Sequence, residues 1–316
     1  MKALVFDRIL HLDHGYPEPD IRPGWAIIQV TLAGICRTDI ELTRGYMDFK
    51  GVLGHEFVGV VTECDNLSLI GQRVVGEINA GCGQCDWCRR GLERHCPNRL
   101  VLGISKLDGC FADFCTLPMA NLYAVPDAIS DTRAVFVEPV SAAFEIFEQM
   151  TINESDRCIV LGDGKMGILC AWALATASTD VTLIGHHPHK LAAAQWRGIR
   201  TETSIENVEP GADVVVEATG RANGIAEALK LCKPRGTLVL KSTTADDAPL
   251  NLAPLVVNEV TMIGSRCGRF KLGLHALMTY DFPLEHLIKG RYPLDEAEAA
   301  IAHATRPEAL KMLIDV

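Results

Sequence analysis

The sequence predicts an α/β protein in two parts: a β-rich N-terminal region, then a doubly wound parallel sheet. Three observations carry that prediction. Short Val/Ile-rich runs separated by Gly, Pro and Asp turns fill the first 128 residues. From residue 157 onward strands and helices alternate, the pattern of parallel strands covered by helices. A glycine-rich turn at 162–167 joins the first strand of that alternation to its first helix.

Taken in order, MKALVF, WAIIQVTLAG, EFVGVVTEC and GQRVVGEI read as strands. DTRAVFVEPVSAAFEIFEQM reads as helix, with apolar residues three and four apart. RCIVLG, a helix over 165–178, VTLIG, a helix over 188–197, ADVVVEATG, a helix over 222–231 and GTLVLKS form the alternation. The segment after 282 reads as a short strand and helix. The expected domains are 1–128, with a cysteine lobe at 80–98, then 129–282, and a segment 283–316 that returns to the first domain.

With 316 residues there is room for two domains of ordinary size. Hydrophobic residues at 48% and charged residues at 22% fit a globular protein with a substantial core. The net charge of −10 argues against general nucleic-acid binding, which needs basic patches. No run is long enough to span a bilayer, and Asp, His and Pro interrupt the apolar runs of the first twenty residues, unlike a signal peptide. The expected location is the cytoplasm.

Cys82, Cys85, Cys88 and Cys96 lie in GCGQCDWCRRGLERHC, spacing that suits four thiolates around one tetrahedral Zn²⁺. Chance structural thiols or disulfides are the alternatives. The other eight cysteines are scattered through apolar stretches, as in a reducing compartment. A filled four-thiolate site has no open position, so it stabilises and does not catalyse.

Gly162-Asp163-Gly164-Lys165-Met166-Gly167 follows a strand and opens a helix, the context in which G-x-G-x-x-G marks a dinucleotide site. Gly162 permits the turn, Gly164 admits a pyrophosphate and Gly167 lets helix and strand pack closely. The strand VTLIG should end on an acid for the ribose of NAD. It ends on Gly185, followed by His186, His187, His189 and Lys190. The missing acid and the basic loop favour NADP over NAD.

Cys36, in GICRTD, His55, in GHE, and Glu138, in VEP, are candidates for a second metal site. Three protein ligands with one open position is the catalytic arrangement of zinc.

Together these residues resemble the zinc-dependent medium-chain dehydrogenase/reductase (alcohol dehydrogenase) superfamily, in its polyol, threonine and glucose dehydrogenase branch. The resemblance runs in order along the chain. It takes in GICRTD, GHEFVGVV, the cysteine lobe, FVEPVSAA, the glycine fingerprint, EATG and YPLDEAEAAI. It implies a GroES-like catalytic domain and a Rossmann cofactor domain. By resemblance Cys36, His55 and Glu138 bind the catalytic zinc, Glu138 directly or through water. Glu56 lies beside the metal, Asp39 orients His55, and Thr38 bonds the substrate oxygen and begins the proton relay. Ala218, Thr219 and Gly220 lie near the nicotinamide.

The implied reaction is hydride transfer between NAD(P) and a secondary alcohol or polyol, or its carbonyl. A homodimer or homotetramer is implied, with the apolar stretch 256–264 as a strand that extends the sheet across a two-fold axis. Arg37 and Glu41 depart from the family pattern, so substrate identity does not transfer. Two rivals stand beside this reading: a zinc-independent enone or quinone reductase of the same fold, and a non-enzymatic zinc-ribbon module.

Overall fold

The computed structural model describes residues 1–243 and 250–316. Two units form. The first is Met1–Glu138 with Leu274–Thr279 and Ile288–Val316; the second is Pro139–Gly273 with Tyr280–Leu287. Among the described residues, no helix is long and apolar enough to cross a membrane.

The first unit is organised by the strand Trp25–Gly34, whose Ala26, Ile28, Val30 and Leu32 point into the core at the period of two that a half-buried strand requires. Glu56–Cys64 pairs antiparallel with it, with Gly34 opposite Glu56. The C-terminal strand Lys311–Asp315 pairs with its other side, with Leu313 opposite Gly34. The first and last parts of the chain therefore meet at Gly34. Ile288–Pro293 lies parallel to Lys311–Asp315, and the helix Ala297–Ala304 makes the crossover between them.

The second unit holds six parallel strands: Arg157–Leu161, Asp180–Ile184, Arg200–Glu202, Ala212–Glu217, Cys232–Leu240 and Thr261–Gly264. Numbered along the chain from one to six, they lie in the order 3-2-1-4-5-6. That is the doubly wound Rossmann order, and its direction reverses beside Arg157–Leu161, where such folds bind ligands. Ile159, Leu161, Val215, Ala228, Leu229 and Leu238 pack together as one core cluster. A separate anchor is Trp172, fully buried, with its ring stacked on Phe282 at 5.9 Å and its indole N–H donating to the Ala194 carbonyl at 2.8 Å.

Several elements differ from the pattern reading. The helical run near 131–150 divides into Asp131–Ala134 and Val137–Gln149. The helices expected over 165–178 and 188–197 stop at Leu174 and Ala193. The stretch 256–264 is not one strand: a helix, Ala253–Val257, precedes the strand Thr261–Gly264. Pro254 is preorganised for a first helical turn, and Glu259, at φ +52, reverses the chain before the strand.

Trp172→Ala removes both the stack and the indole bond. It should lower the unfolding free energy by about 3–5 kcal/mol, read as a lower denaturant midpoint with the slope unchanged.

Candidate functional site

The first unit brings three ligand-type side chains together. Cys36, His55 and Glu56 each offer an atom within 4.8 Å of the others. The pairing of Gly34 with Glu56 explains the meeting, since Cys36 lies just past one strand and His55 just before the other. Cys36 precedes the helix Arg37–Thr43, and the Asp39 carboxylate of that helix accepts the Cys36 amide at 2.8 Å. Its second oxygen lies 3.0 Å from Nδ1 of His55, leaving Nε2 as the ring atom available to a metal. Both residues are buried. Burial alone would lower the His55 pKa, but the Asp39 charge and hydrogen bond outweigh it and hold the ring well above its ordinary value. Thr38 Oγ1 lies 3.9 Å from Cys36 Sγ.

Glu56 is wholly buried and forms an ion pair with Lys311, also wholly buried. The Lys311 ammonium lies 3.4 Å from the Ile35 carbonyl and 5.5 Å from the Phe136 ring centre. A Cβ at position 34 would collide with this lysine, so glycine there is what lets Lys311 reach the site. Glu138 stands in the first turn of Val137–Gln149, half-buried. Among the described residues, the carboxyl grouped with Cys36 and His55 is that of Glu56 rather than that of Glu138. Arg37 pairs with Glu41 at 2.7 Å, and Arg44 shares the same carboxylate at 3.2 Å.

Cys82, Cys85, Cys88 and Cys96 form the second group, all four sulfurs within 4.8 Å of one another. Cys85 Sγ lies 3.6 Å from Cys88 Sγ and 3.7 Å from Cys96 Sγ. Four Zn–S bonds of about 2.3 Å in a tetrahedron put neighbouring sulfurs about 3.8 Å apart, so this cage fits zinc. A disulfide needs about 2.05 Å. Backbone N–H groups of Gln84 and Cys85 pull the Cys82 thiol down to about 6, whereas burial and the Cys85 side chain push Cys88 up to about 12, so the two thiols differ in how readily they become the thiolate a metal requires.

In the second unit the turn Gly162–Gly167 lies against Ala218. A Cβ at Gly162, whose φ is +116, would strike the Ala218 carbonyl, and one at Gly167 would strike the Gly162 carbonyl. A Cβ at Gly164 would meet nothing within 4 Å, so the backbone there lies open at the N-terminus of the helix Lys165–Leu174, with Met166 in its first turn. These features suit a dinucleotide pyrophosphate. The turn Ala218-Thr219-Gly220 is ordered by the buried Glu217. Its Oε1 accepts from the Thr219 amide at 2.8 Å, the Thr219 hydroxyl at 2.6 Å and the Ser242 hydroxyl at 3.1 Å.

The basic loop is less open than the sequence suggests. His186 and His189 are exposed, His187 is half-buried and Lys190 is buried. The Asp163 carboxylate gathers this loop: its Oδ2 accepts the amides of His186 and His187, each at 2.7 Å, and lies 3.0 Å from His187 Nδ1.

The sequence reading did not single out Lys311, Glu217 or Asp163 for roles. The signal for Lys311 was a lysine heading the apolar run Met-Leu-Ile, which calls for a buried partner. Asp163 stood at a variable position of the glycine fingerprint, where pattern matching assigns no task.

Two family models cover most of the chain: the alcohol dehydrogenase GroES-like domain over residues 22–127 and the glucose dehydrogenase C-terminus over 132–316. Sorbitol dehydrogenase of Bacillus subtilis strain 168 is 25% identical, over 99% of this chain and 97% of its own. An L-threonine 3-dehydrogenase of Chelativorans sp. strain BNC1 is 31% identical over 71% of each. The solved alcohol dehydrogenase TADH of Thermus sp. ATN1 superposes with a TM-score of 0.90 at 27% identity, over all of both chains. A putative zinc-binding dehydrogenase of Sinorhizobium meliloti 1021, solved with NADP, gives 0.89 at 25% identity, over all of this chain and 99% of its own. The chain belongs to the zinc-dependent medium-chain alcohol dehydrogenase superfamily, in the branch that joins a GroES-like domain to a glucose-dehydrogenase-type C-terminal domain, and is an oxidoreductase acting on CH–OH groups.

Proposed function

We propose that this enzyme uses two zinc ions and a nicotinamide dinucleotide to interconvert a secondary alcohol or polyol with its carbonyl compound. The observation that carries the proposal is the meeting of half-buried Cys36 with buried His55 and Glu56, with Asp39 fixing the imidazole. A thiolate, an imidazole and a carboxylate form a ligand set for zinc rather than for a hard cation. That grouping also weighs against an enone or quinone reductase that works without metal. The names of the relatives, among them sorbitol dehydrogenase and D-altritol 5-dehydrogenase, support a polyol-like substrate.

When bound, zinc supplies a Lewis acid for the substrate oxygen and the nicotinamide supplies the hydride carrier. Cys36 and His55 are assigned as ligands, with Glu138 as the third, directly or through water. Glu56 already has its charge matched by Lys311, which favours a part-time role at the metal over permanent ligation. Asp39 holds the His55 ring and the Cys36 backbone in register, so one side chain orients two ligands. Thr38, beside Cys36, is assigned the hydrogen bond to the substrate oxygen and the first proton step. Cys82, Cys85, Cys88 and Cys96 hold the structural ion.

Gly162, Gly164, Lys165, Met166 and Gly167 are assigned to the dinucleotide phosphates, and Ala218, Thr219 and Gly220 to the nicotinamide side. The absence of an acid at Gly185 and the basic loop after it support NADP, whereas the Asp163 carboxylate packed against Gly185 supports NAD. Assembly as a homo-oligomer is supported by the edge strand Thr261–Gly264 and by the exposed Val256 and Val257 in the preceding helix. A cytoplasmic location is supported by twelve cysteines outside any disulfide.

The test is metal analysis with substrate screening. Purified enzyme should carry about two zinc ions per chain. Cys36→Ala should lose one of them and abolish polyol oxidation while melting cooperatively and binding dinucleotide. Cys88→Ser should lose the other and melt at a clearly lower temperature. Zinc near one per chain after reconstitution, with activity intact, would sink the catalytic assignment.

Lys311→Met strands the buried Glu56 charge and should cost about 3–5 kcal/mol of stability, most of it recovered in the Lys311→Met/Glu56→Gln double variant. Denaturant unfolding of both variants provides the check.

A further inference from the structure

No acid stands at the end of the second Rossmann strand, but a carboxylate from the glycine turn lies against it. In such folds an acid about twenty residues after the glycine fingerprint bonds the adenosine ribose hydroxyl. Here that strand, Asp180–Ile184, runs into Gly185, and a Cβ built on Gly185 would lie 2.5 Å from Asp163 Oδ2 and 2.6 Å from its Cγ. The space where a side chain at 185 would begin is therefore already filled by a carboxylate from the fingerprint turn itself.

Asp163 is held there firmly. Oδ2 takes three donors, the amides of His186 and His187 and the ring of His187, while Oδ1 has no hydrogen-bond partner among the described residues. Burial would raise the Asp163 pKa, but the His187 amide and ring and the His186 amide outweigh it and keep the group below its ordinary value, ionised at neutral pH. The side chain is 11% exposed, so one face still reaches the surface of the turn. The basic groups that would compensate a 2′-phosphate are partly committed: His187 to this carboxylate, and His186 Nδ1 to a contact with the Thr203 carbonyl at 3.3 Å.

We propose that Asp163 is the residue that selects the dinucleotide, its free oxygen accepting an adenosine ribose hydroxyl and its charge excluding a 2′-phosphate, so that the enzyme prefers NAD(H). This inference rests on the nicotinamide-dependent reading above. It also explains Gly185: the glycine makes room for a carboxylate that arrives from the neighbouring turn.

Calorimetric titration of the zinc-loaded enzyme with NADH and with NADPH, at one ionic strength and without substrate, tests it. Wild type should bind NADH more tightly than NADPH by about tenfold or more, the scale of one charge-assisted hydrogen bond. Asp163→Asn keeps the shape and an acceptor for the loop amides, and should shrink that ratio by about tenfold, with NADPH gaining in absolute affinity as the repulsion goes. A structural role alone would weaken both dinucleotides alike and leave the ratio unchanged; that result overturns the proposal. Wild type preferring NADPH overturns it too, whether or not the Asn variant folds, and Asp163→Ser offers a second way to remove the charge. Failure of wild type to bind either dinucleotide would instead bring down the hydride-transfer reading and this inference with it.

Discussion

A carboxylate taken out of water must find donors or a cation, and four such groups organise the working parts of this chain. Asp39, Glu56 and Glu217 are almost wholly buried, and Asp163 is 8% exposed. Each is satisfied by partners that would otherwise be free to move: the Cys36 amide and His55 ring, the Lys311 ammonium, the Thr219 turn, and the loop after the second Rossmann strand. A carboxylate accepts several hydrogen bonds at once, so each one fixes more than one segment.

The same constraint explains why the first unit depends on its C-terminal strand. Glu56 lies at the edge of the candidate metal centre, and its buried partner comes from residue 311. Without Lys311–Asp315 beside Trp25–Gly34, the buried negative charge of Glu56 would stand beside Cys36 and His55 with no cation to balance it. Gly34 is part of this arrangement, because any side chain there would block the lysine. A strand, a glycine and an ion pair separated widely in sequence thus form one local device.

The two metal-binding groups show contrasting ways of building a ligand set. The four-cysteine lobe is local: fifteen residues bend around one point, and the sulfur separations follow from short spacing. The Cys36–His55–Glu56 set is assembled by strand pairing, so its geometry belongs to the sheet register. A slip of one residue in that register would turn Glu56 to the other face and dissolve the site.

What the sequence determined by itself was whatever rests on short-range pattern. The period of the strands, the alternation that implies a parallel sheet, the cysteine spacing and the glycine turn all depend on neighbours in the chain, and the Rossmann order and sulfur cage follow from them. The helix ends were less legible, since Leu174 and Ala193 end their helices where tertiary packing, not the apolar period, decides. What only the tertiary structure decided was which charges share a buried space. Residues 56 and 311, or 163 and 185, carry no mutual signal along the chain; they meet because a β-register and a βα turn place them within contact. Gly185 brings no acid to the end of its strand, yet the Asp163 carboxylate lies against it, a proximity that position along the strand does not reveal.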